Sequence, residues 1–240
     1  MKIIISPAKE MNTNNPVSID WKISDTTKKL VDLLQSMTPY ELKNTLKIND
    51  SILNINQQYI ENFSQTRTYK AIDMYHGLAY RWMDLGEFSE DNYRYLKEHL
   101  VILSSFYGPI NPMDLVKPYR LDFTMPVKLE GKSLKNIWSP IYNSYFEDGE
   151  TILNLASDEF SDLINKENYR WIDFAFVELT DGKEKRHSTI SKKARGRMVK
   201  YLSMNNIEDL NGVKKFNLDG YSYKSKKSRD NYLHFERKKV

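Results

Sequence analysis

The chain has 240 residues, with 36 Lys and Arg against 32 Asp and Glu, a formal net charge of +4. It contains no Cys, which excludes disulfides, thiolate zinc sites, iron–sulfur clusters and thiol catalysis. Its longest apolar runs, residues 3–5 and 100–103, fall far short of the ~18 residues of a membrane span, so a cytoplasmic globular protein with no membrane partner is expected.

In chain order, Lys2–Ile5 reads as a buried strand closed by Ser6-Pro7, too short for a signal h-region. Asn12-Thr13-Asn14-Asn15-Pro16 reads as a loop. Leu30, Val31, Leu33 and Leu34 predict a helix over Asp25–Gln35 with Ser24 as its cap. Thr38-Pro39 opens a second helix, Thr at the cap and Pro at the first position. A break at 47–49 leads to a third helix over 50–63. Two short helices around a tight turn could form a helix-hairpin-helix, which presents backbone N–H groups to DNA phosphate. That module usually carries Gly in its turn, where this chain has Asn49, so an ordinary helical hairpin is the competing reading.

Further on, 89–100 predicts a helix with a Ser cap, and 101–104 a strand entering a turn at Gly108-Pro109. A helix over 133–146 places Leu134, Ile137, Ile141 and Tyr145 on one face. A strand over 152–155 and a helix over 158–164 follow. The strand 172–179 ends in the turn Thr180-Asp181-Gly182, with 184–190 as a hairpin partner. A helix over 190–202 and short strands at 221–223 and 233–236 complete the chain. Helices and strands are interspersed without regular βαβ alternation. The expectation is therefore an α+β fold, one mixed domain over residues 1–240 with a sheet surrounded by helices.

Charge is uneven. Residues 183–240 hold 17 Lys and Arg against 6 Asp and Glu, while residues 1–182 are net −7. That asymmetry points to an anionic partner, nucleic acid or nucleotide, unless it is merely a solvated face of a Lys-rich and Asn-rich chain. On the helix 190–202, Ile190, Ala194, Met198, Tyr201 and Leu202 form an apolar arc. Lys192, Lys193, Arg195, Arg197 and Lys200 cover the rest, with Lys193, Arg197 and Lys200 on one face. Like charges so spaced repel unless an anion binds. Lys183, Lys185, Arg186 and His187 lie just upstream, and Lys224, Lys226, Lys227 and Arg229 form a second cluster. Together they could contact DNA phosphates. Gly196 in mid-helix costs about 1 kcal/mol relative to Ala, which suggests a close approach by another backbone or a ligand.

Two further segments could carry chemistry. Tyr107-Gly108-Pro109 to Asp114, then Tyr119-Arg120-Leu121-Asp122, displays groups suited to stacking on a base and to gripping a phosphate or carboxylate. A Pro-pinned structural loop, with Arg120 paired to Asp114 or Asp122, explains the same residues. Asn154-Leu155-Ala156-Ser157-Asp158-Glu159 places polar groups where a strand gives way to a helix. Either Ser157 is a plain N-cap, or Asn154 and Glu159 face a ligand. His76, His99, His187 and His234 are scattered, and Glu184 and His187 form a lone Glu-x-x-His on a predicted strand. No Walker A, Gly-x-Gly-x-x-Gly or Gly-x-Ser-x-Gly motif is present. No metal and no cofactor are expected.

Ordered pieces along the chain resemble the YaaA family of bacterial peroxide stress proteins. They are Ile4-Ile5-Ser6-Pro7-Ala8-Lys9, Leu103-Ser104 with Tyr107-Gly108, Pro112-Met113-Asp114-Leu115, Pro118-Tyr119-Arg120-Leu121, Asn154-Leu155-Ala156-Ser157 with Glu159-Phe160, Lys192-Lys193-Ala194-Arg195-Gly196, Gly220-Tyr221 and Phe235-Glu236-Arg237. The chain departs from the family pattern at Ser105-Phe106, where Gly-Leu is typical, and at His76-Gly77, where Asn-Gly is usual. The resemblance implies a cytosolic protein on an unusual α+β fold that limits oxidative damage during hydrogen peroxide stress. It implies lower free iron, and DNA binding through a basic cleft and a helix-hairpin-helix.

Two functions compete. In the first, the protein binds DNA, with Lys183, Lys185, Arg186, Lys192, Lys193, Arg195, Arg197 and Lys200 neutralising phosphates and Tyr107 and Tyr119 lining the cleft. In the second, it is an enzyme on a nucleotide or nucleobase, with Lys9, Asp114, Tyr119, Arg120, Asn154, Ser157, Glu159 and Lys193 converging on one pocket. There Arg120 and Arg195 would hold phosphate, and Asp114 or Glu159 would be the general base. Direct iron sequestration has no visible ligand cluster. Neither the reaction nor the oligomeric state is legible.

Overall fold

The structure, a computed structural model, describes residues 1–18 and 22–239. Its strands are β1 (Lys2–Ile5), β2 (Tyr69–Lys70), β3 (Leu100–Ser104), β4 (Gly108–Ile110), β5 (Leu115–Val116), β6 (Lys128–Leu129), β7 (Lys132–Ser133), β8 (Thr151–Leu155), β9 (Arg170–Thr180), β10 (Lys183–Lys185), β11 (Ser222–Tyr223) and β12 (Tyr232–Lys238). Its α-helices are α1 (Asp25–Gln35), α2 (Pro39–Leu46), α3 (Asp50–Glu61), α4 (Ala71–Met74), α5 (Leu78–Met83), α6 (Glu90–His99), α7 (Leu134–Asn143), α8 (Asp158–Ser161), α9 (Ser188–Met204) and α10 (Leu210–Val213).

Ile3, Ile4 and Ile5 are at most 1% exposed. Such a run needs a partner on each edge and cover on each face. β1 accordingly pairs in parallel with β3 on one side, Ile3 opposite Leu100, and with β8 on the other, Ile3 opposite Leu153. β8 continues in parallel to β9, and β9 to β12. The parallel centre thus runs β3-β1-β8-β9-β12, edged by antiparallel β4 and β11, with β10 turning back on β9. Counted along the chain, those five strands stand in the order 2-1-3-4-5. The chain leaves β1 toward β3 and returns on its other side as β8. In parallel sheets, a crevice opens at the carboxyl ends where the order reverses. The expected α+β architecture is met, with a mixed sheet of eight strands, helices packed on it and one continuous core. No helix among the described residues is long and apolar enough to cross a membrane.

The caps are as expected. Ser24 accepts the Thr27 amide at α1, Ser89 accepts the Asn92 amide at α6, and Thr38 forms a full capping box with Glu41 at α2. The turn between α2 and α3 is closed by its own residues. Lys47 adopts a left-handed φ of 49°, and the Asn49 side chain accepts the Ile52 amide. This is the ordinary helical hairpin of the two readings, without the glycine turn of a helix-hairpin-helix.

Other expectations are corrected. The buried face of α7 is Leu134, Trp138 and Tyr142, whereas Ile141 and Tyr145 are exposed. The face is turned by polar anchors, because the Trp138 indole N–H donates to Ser105 O and the Tyr142 hydroxyl donates to Ser104 O. β10 stops at Lys185, so the hairpin partner is shorter than 184–190. On α9 the predicted apolar arc is buried throughout. Gly196 faces α5, where a Cβ would lie 2.0 Å from the Ala79 carbonyl oxygen. The close approach inferred at Gly196 is therefore by another backbone.

A candidate site at the carboxyl ends of the central strands

Residues 6–9 leave the carboxyl end of β1, and residues 156–159 leave that of β8. The first loop is fastened by Glu10 O, which accepts the His76 amide, and by the Asn12 amide, which donates to Met74 O. Gly77 packs against Ala8, and a Cβ on it would lie 2.8 Å from the Ala8 methyl. α5 and the first turns of α9 form the facing wall. Between them lies a cleft of about 420 Å³ lined by Ser6, Lys9, Tyr80, Glu159, Lys192 and Arg195 among others. A cavity of about 40 Å³ shares Pro7, Ala8, Lys9 and Phe160 with the cleft and adds Tyr119, Arg120 and Asp122. The crevice predicted by the strand order is this one.

Charges in the cleft are arranged in pairs with exceptions. Lys9 Nζ lies 2.8 Å from Asp122 Oδ2, while the Thr124 amide and hydroxyl donate to Asp122 Oδ1. Glu159 Oε1 accepts the Phe123 amide at 3.0 Å. Arg81 pairs with Glu10 at 2.7 Å. Ser157 donates its amide to Ser6 Oγ, the two hydroxyls lie 3.1 Å apart, and the Tyr80 hydroxyl donates to Ser6 O. Burial pushes the Asp122 carboxyl up, but Lys9 and Thr124 outweigh it and hold it below the ordinary carboxylate value. Burial, aided by the Asp122 charge, pushes Glu159 above its ordinary value against the Phe123 amide and Lys9. Two carboxyls driven apart in this way are the usual setting for acid and base roles. The raised value also carries a prediction. A carboxyl whose folded value is raised stabilises the fold fully below its ordinary value of 4.5 and loses that contribution as the pH rises through the folded value. Ionised Glu159 therefore opposes folding at neutral pH. Glu159→Gln is expected to melt higher than the wild type at neutral pH, with the gain fading toward acid, in a series of melts from about pH 4 to about pH 8.

The structure brings Lys9, Arg120, Ser157 and Glu159 together with Lys192 and Arg195 of the basic set. Three other candidates serve the fold. Asp114 accepts the Asn111 amide in a turn whose carbonyl holds the Ala71 amide, and it lines a separate hollow. Asn154 donates to Asp173 and accepts the Ala156 amide. Tyr119 lines the small cavity, yet its hydroxyl is bonded to Ser104 and Tyr75, and burial pushes it up to about 12. Tyr107, whose hydroxyl donates to Lys117 O, packs on Phe106 and Tyr119 and lines the same separate hollow as Asp114, away from the cleft. Ser157 stands at the start of α8 but makes no cap bond, because its hydroxyl faces Ser6. Arg120 pairs with neither Asp114 nor Asp122.

The basic helix is not the free cationic face its spacing suggests. Lys200 is buried against Asp84 at 2.8 Å and Glu87 at 2.6 Å. Arg197 pairs with Asp219 at 3.2 Å, and both Arg197 and Lys193 sit over the Trp82 ring. Acids from the α5 end and from residue 219 thus remove the repulsion that seemed to require an anion. Lys183 and Lys185 are exposed on β10, and Arg186 is held by Glu184 and the Tyr232 hydroxyl. Sequence reasoning missed Tyr80 and Arg81 and named Asp122 only as a partner, since these reach the cleft through long-range packing. It named Glu184, His234 and Glu236 separately and did not bring them together, although their ligand atoms lie within 4.8 Å of one another. There the Lys227 ammonium already contacts both carboxylates.

A family model described as "Peroxide stress protein YaaA" matches residues 1–227. Among similar proteins, a UPF0246 protein of Fusobacterium nucleatum is 37% identical over 99% of both chains. A UPF0246 protein of Agathobacter rectalis is 36% identical over 99% of both. One of Streptococcus gordonii is 34% identical, again over 99% of both.

Proposed function

The chain belongs to the YaaA family of peroxide stress proteins, and from that premise we propose that it acts in the cytoplasm to protect DNA during peroxide stress by binding it across the cleft. One observation carries this reading. Lys192 and Arg195, close neighbours on α9, line the cleft and make no hydrogen bond or close ion pair among the described residues. Burial lowers the Arg195 value, with Asp158 and Asp173 opposing, but a guanidinium remains charged. Unneutralised cations at a cleft mouth attract phosphodiesters and release counterions when they engage. Exposed Lys183 and Lys185 extend the surface upstream. DNA so covered is shielded from iron-driven radicals, which limits iron-dependent damage without asking the protein to ligate iron.

The test is fluorescence anisotropy with labelled duplex and single-stranded DNA across a salt series. Lys192→Glu/Arg195→Glu should bind at least ~10-fold more weakly, with a salt slope shallower by roughly two. A wild type that fails to bind at low salt, or a variant that binds as well, would overturn the reading. A second reading, an enzyme on a nucleotide or nucleobase, is favoured by the Asp122 carboxyl in the small cavity and the Glu159 carboxyl in the adjoining cleft, whose proton affinities are pushed apart.

A further inference from the structure

Among the described residues, Arg120 is the one cation of the small cavity with nothing to balance it. Lys9 and Asp122, the other charges lining that cavity, neutralise each other at 2.8 Å. Arg120 makes no hydrogen bond or ion pair among the described residues, and its Nε is buried without a partner. Both carboxylates near it in sequence are engaged elsewhere, Asp122 by Lys9 and Thr124, and Asp114 by the Asn111 amide. A buried donor left unpaired is rare and asks for an explanation. A guanidinium fork is the side chain best shaped to take two oxygens of a phosphate or carboxylate.

The cavity is the smaller of two adjoining spaces. It offers about 40 Å³ against about 420 Å³ in the cleft beside it, so a compact head group suits the cavity and the bulk of a ligand suits the cleft. Pro7 and Phe160 line both this cavity and the cleft of about 420 Å³ beside it, so a molecule seated by its head at Arg120 continues past them into the larger space. There Tyr80 supplies an apolar wall, and Glu159 has one oxygen beyond the Phe123 amide bond to accept from a hydroxyl or amino group. The site also lies where the strand order reverses.

We propose that Arg120 and its cavity receive the phosphate of a nucleoside monophosphate whose sugar and base occupy the adjoining cleft. The proposal sharpens the enzyme reading by naming a head group and its receptor, and it does not depend on DNA binding.

Thermal shift and calorimetry on the full chain test it, with AMP, GMP, CMP, UMP, adenosine and inorganic phosphate as probes. At least one monophosphate should raise the melting temperature by about 3 °C at ~10-fold excess over its Kd, phosphate alone more weakly, and adenosine not at all. Arg120→Gln should weaken that binding at least ~10-fold while leaving DNA affinity unchanged. Arg120→Lys, which keeps the charge and loses the fork, should fall between. Loss of DNA binding in Lys192→Glu/Arg195→Glu is a separate outcome, so the two proposals fail independently. Absence of any shift at ~10 mM monophosphate, equal binding of adenosine, or unchanged binding in Arg120→Gln would overturn the inference. If Arg120→Gln does not fold, a wild-type crystal soaked with AMP decides, and phosphate density beyond hydrogen-bonding reach of Arg120 would overturn it.

Discussion

Gly196→Ala is expected to destabilise the protein by roughly 2–3 kcal/mol, the opposite of what helix propensity alone predicts. In an exposed helix, Ala is better than Gly by about 1 kcal/mol. Here the new Cβ would stand 2.0 Å from Ala79 O, 3.0 Å from Ala79 C and 3.1 Å from Met83 N. All three are backbone atoms, so no side chain can swing aside, and α5 must move as a unit. Overpacking of this kind typically costs ~1–3 kcal/mol or more, which outweighs the propensity gain. For a chain of this length the melting temperature should fall by about 5–10 °C, readable by circular dichroism. Because α5 carries Leu78, Ala79 and Tyr80 into the cleft wall, ligand and DNA binding should weaken with it. An unchanged or higher melting temperature would mean that α5 does not lie against α9.

Arg197→Glu should cost about 2 kcal/mol, whereas Lys192→Glu, five residues earlier on the same helix, should stay within ~0.5 kcal/mol. Arg197 is half-buried between Asp219, Asp84 and the Trp82 ring. Its reversal removes two ion pairs and a ring contact and sets a carboxylate beside two others. Lys192 is exposed and has no ion-pair partner among the described residues. Urea unfolding of the two variants distinguishes these roles, and equal stabilities would show that the α9 ion pairs contribute nothing. The contrast also decides how DNA experiments are designed. A charge reversal at positions 193 and 197 would disturb the α5–α9 packing and lower binding by unfolding, whereas reversal at exposed Lys192 reports on the surface itself, and a reversal at half-buried Arg195 is read with its melting temperature measured alongside.

Local chemistry made the helix starts legible. Ser24, Thr38-Pro39 and Ser89 announce α1, α2 and α6 because a cap is a contact between residues three apart. α5 carries no such signal. Gly77 makes no side-chain cap bond, and Tyr80 and Met83 are buried by partners far along the chain. The apolar arc of α9 was readable from its period, but the fate of its cations was not. Asp84, Glu87 and Asp219, which neutralise Lys200 and Arg197, lie more than twenty residues away in sequence. The same limit divides the site. Glu159 and Arg120 stood out as polar groups beside a strand end or a Pro-rich turn. Asp114 and Asn154 looked alike in sequence, but close hydrogen bonds to Asn111 and Ala156 make them structural.

The position of β1 has a consequence for synthesis. Its edges are closed by β3 and β8, whose partner residues to Ile5 are Ile102 and Leu155. At ~5–20 residues per second, the ribosome needs roughly 7–30 s between making the first strand and making the second of these neighbours. Throughout that interval three consecutive isoleucines have an unpaired edge, in a form suited to pairing with another nascent chain. Contacts so distant in sequence also slow folding after release. The fold that shapes the cleft therefore makes its maturation dependent on whatever shelters that first strand, and aggregation during overexpression should be relieved by a lower expression level, which dilutes the nascent chains, and worsened by slower elongation, which lengthens the exposure.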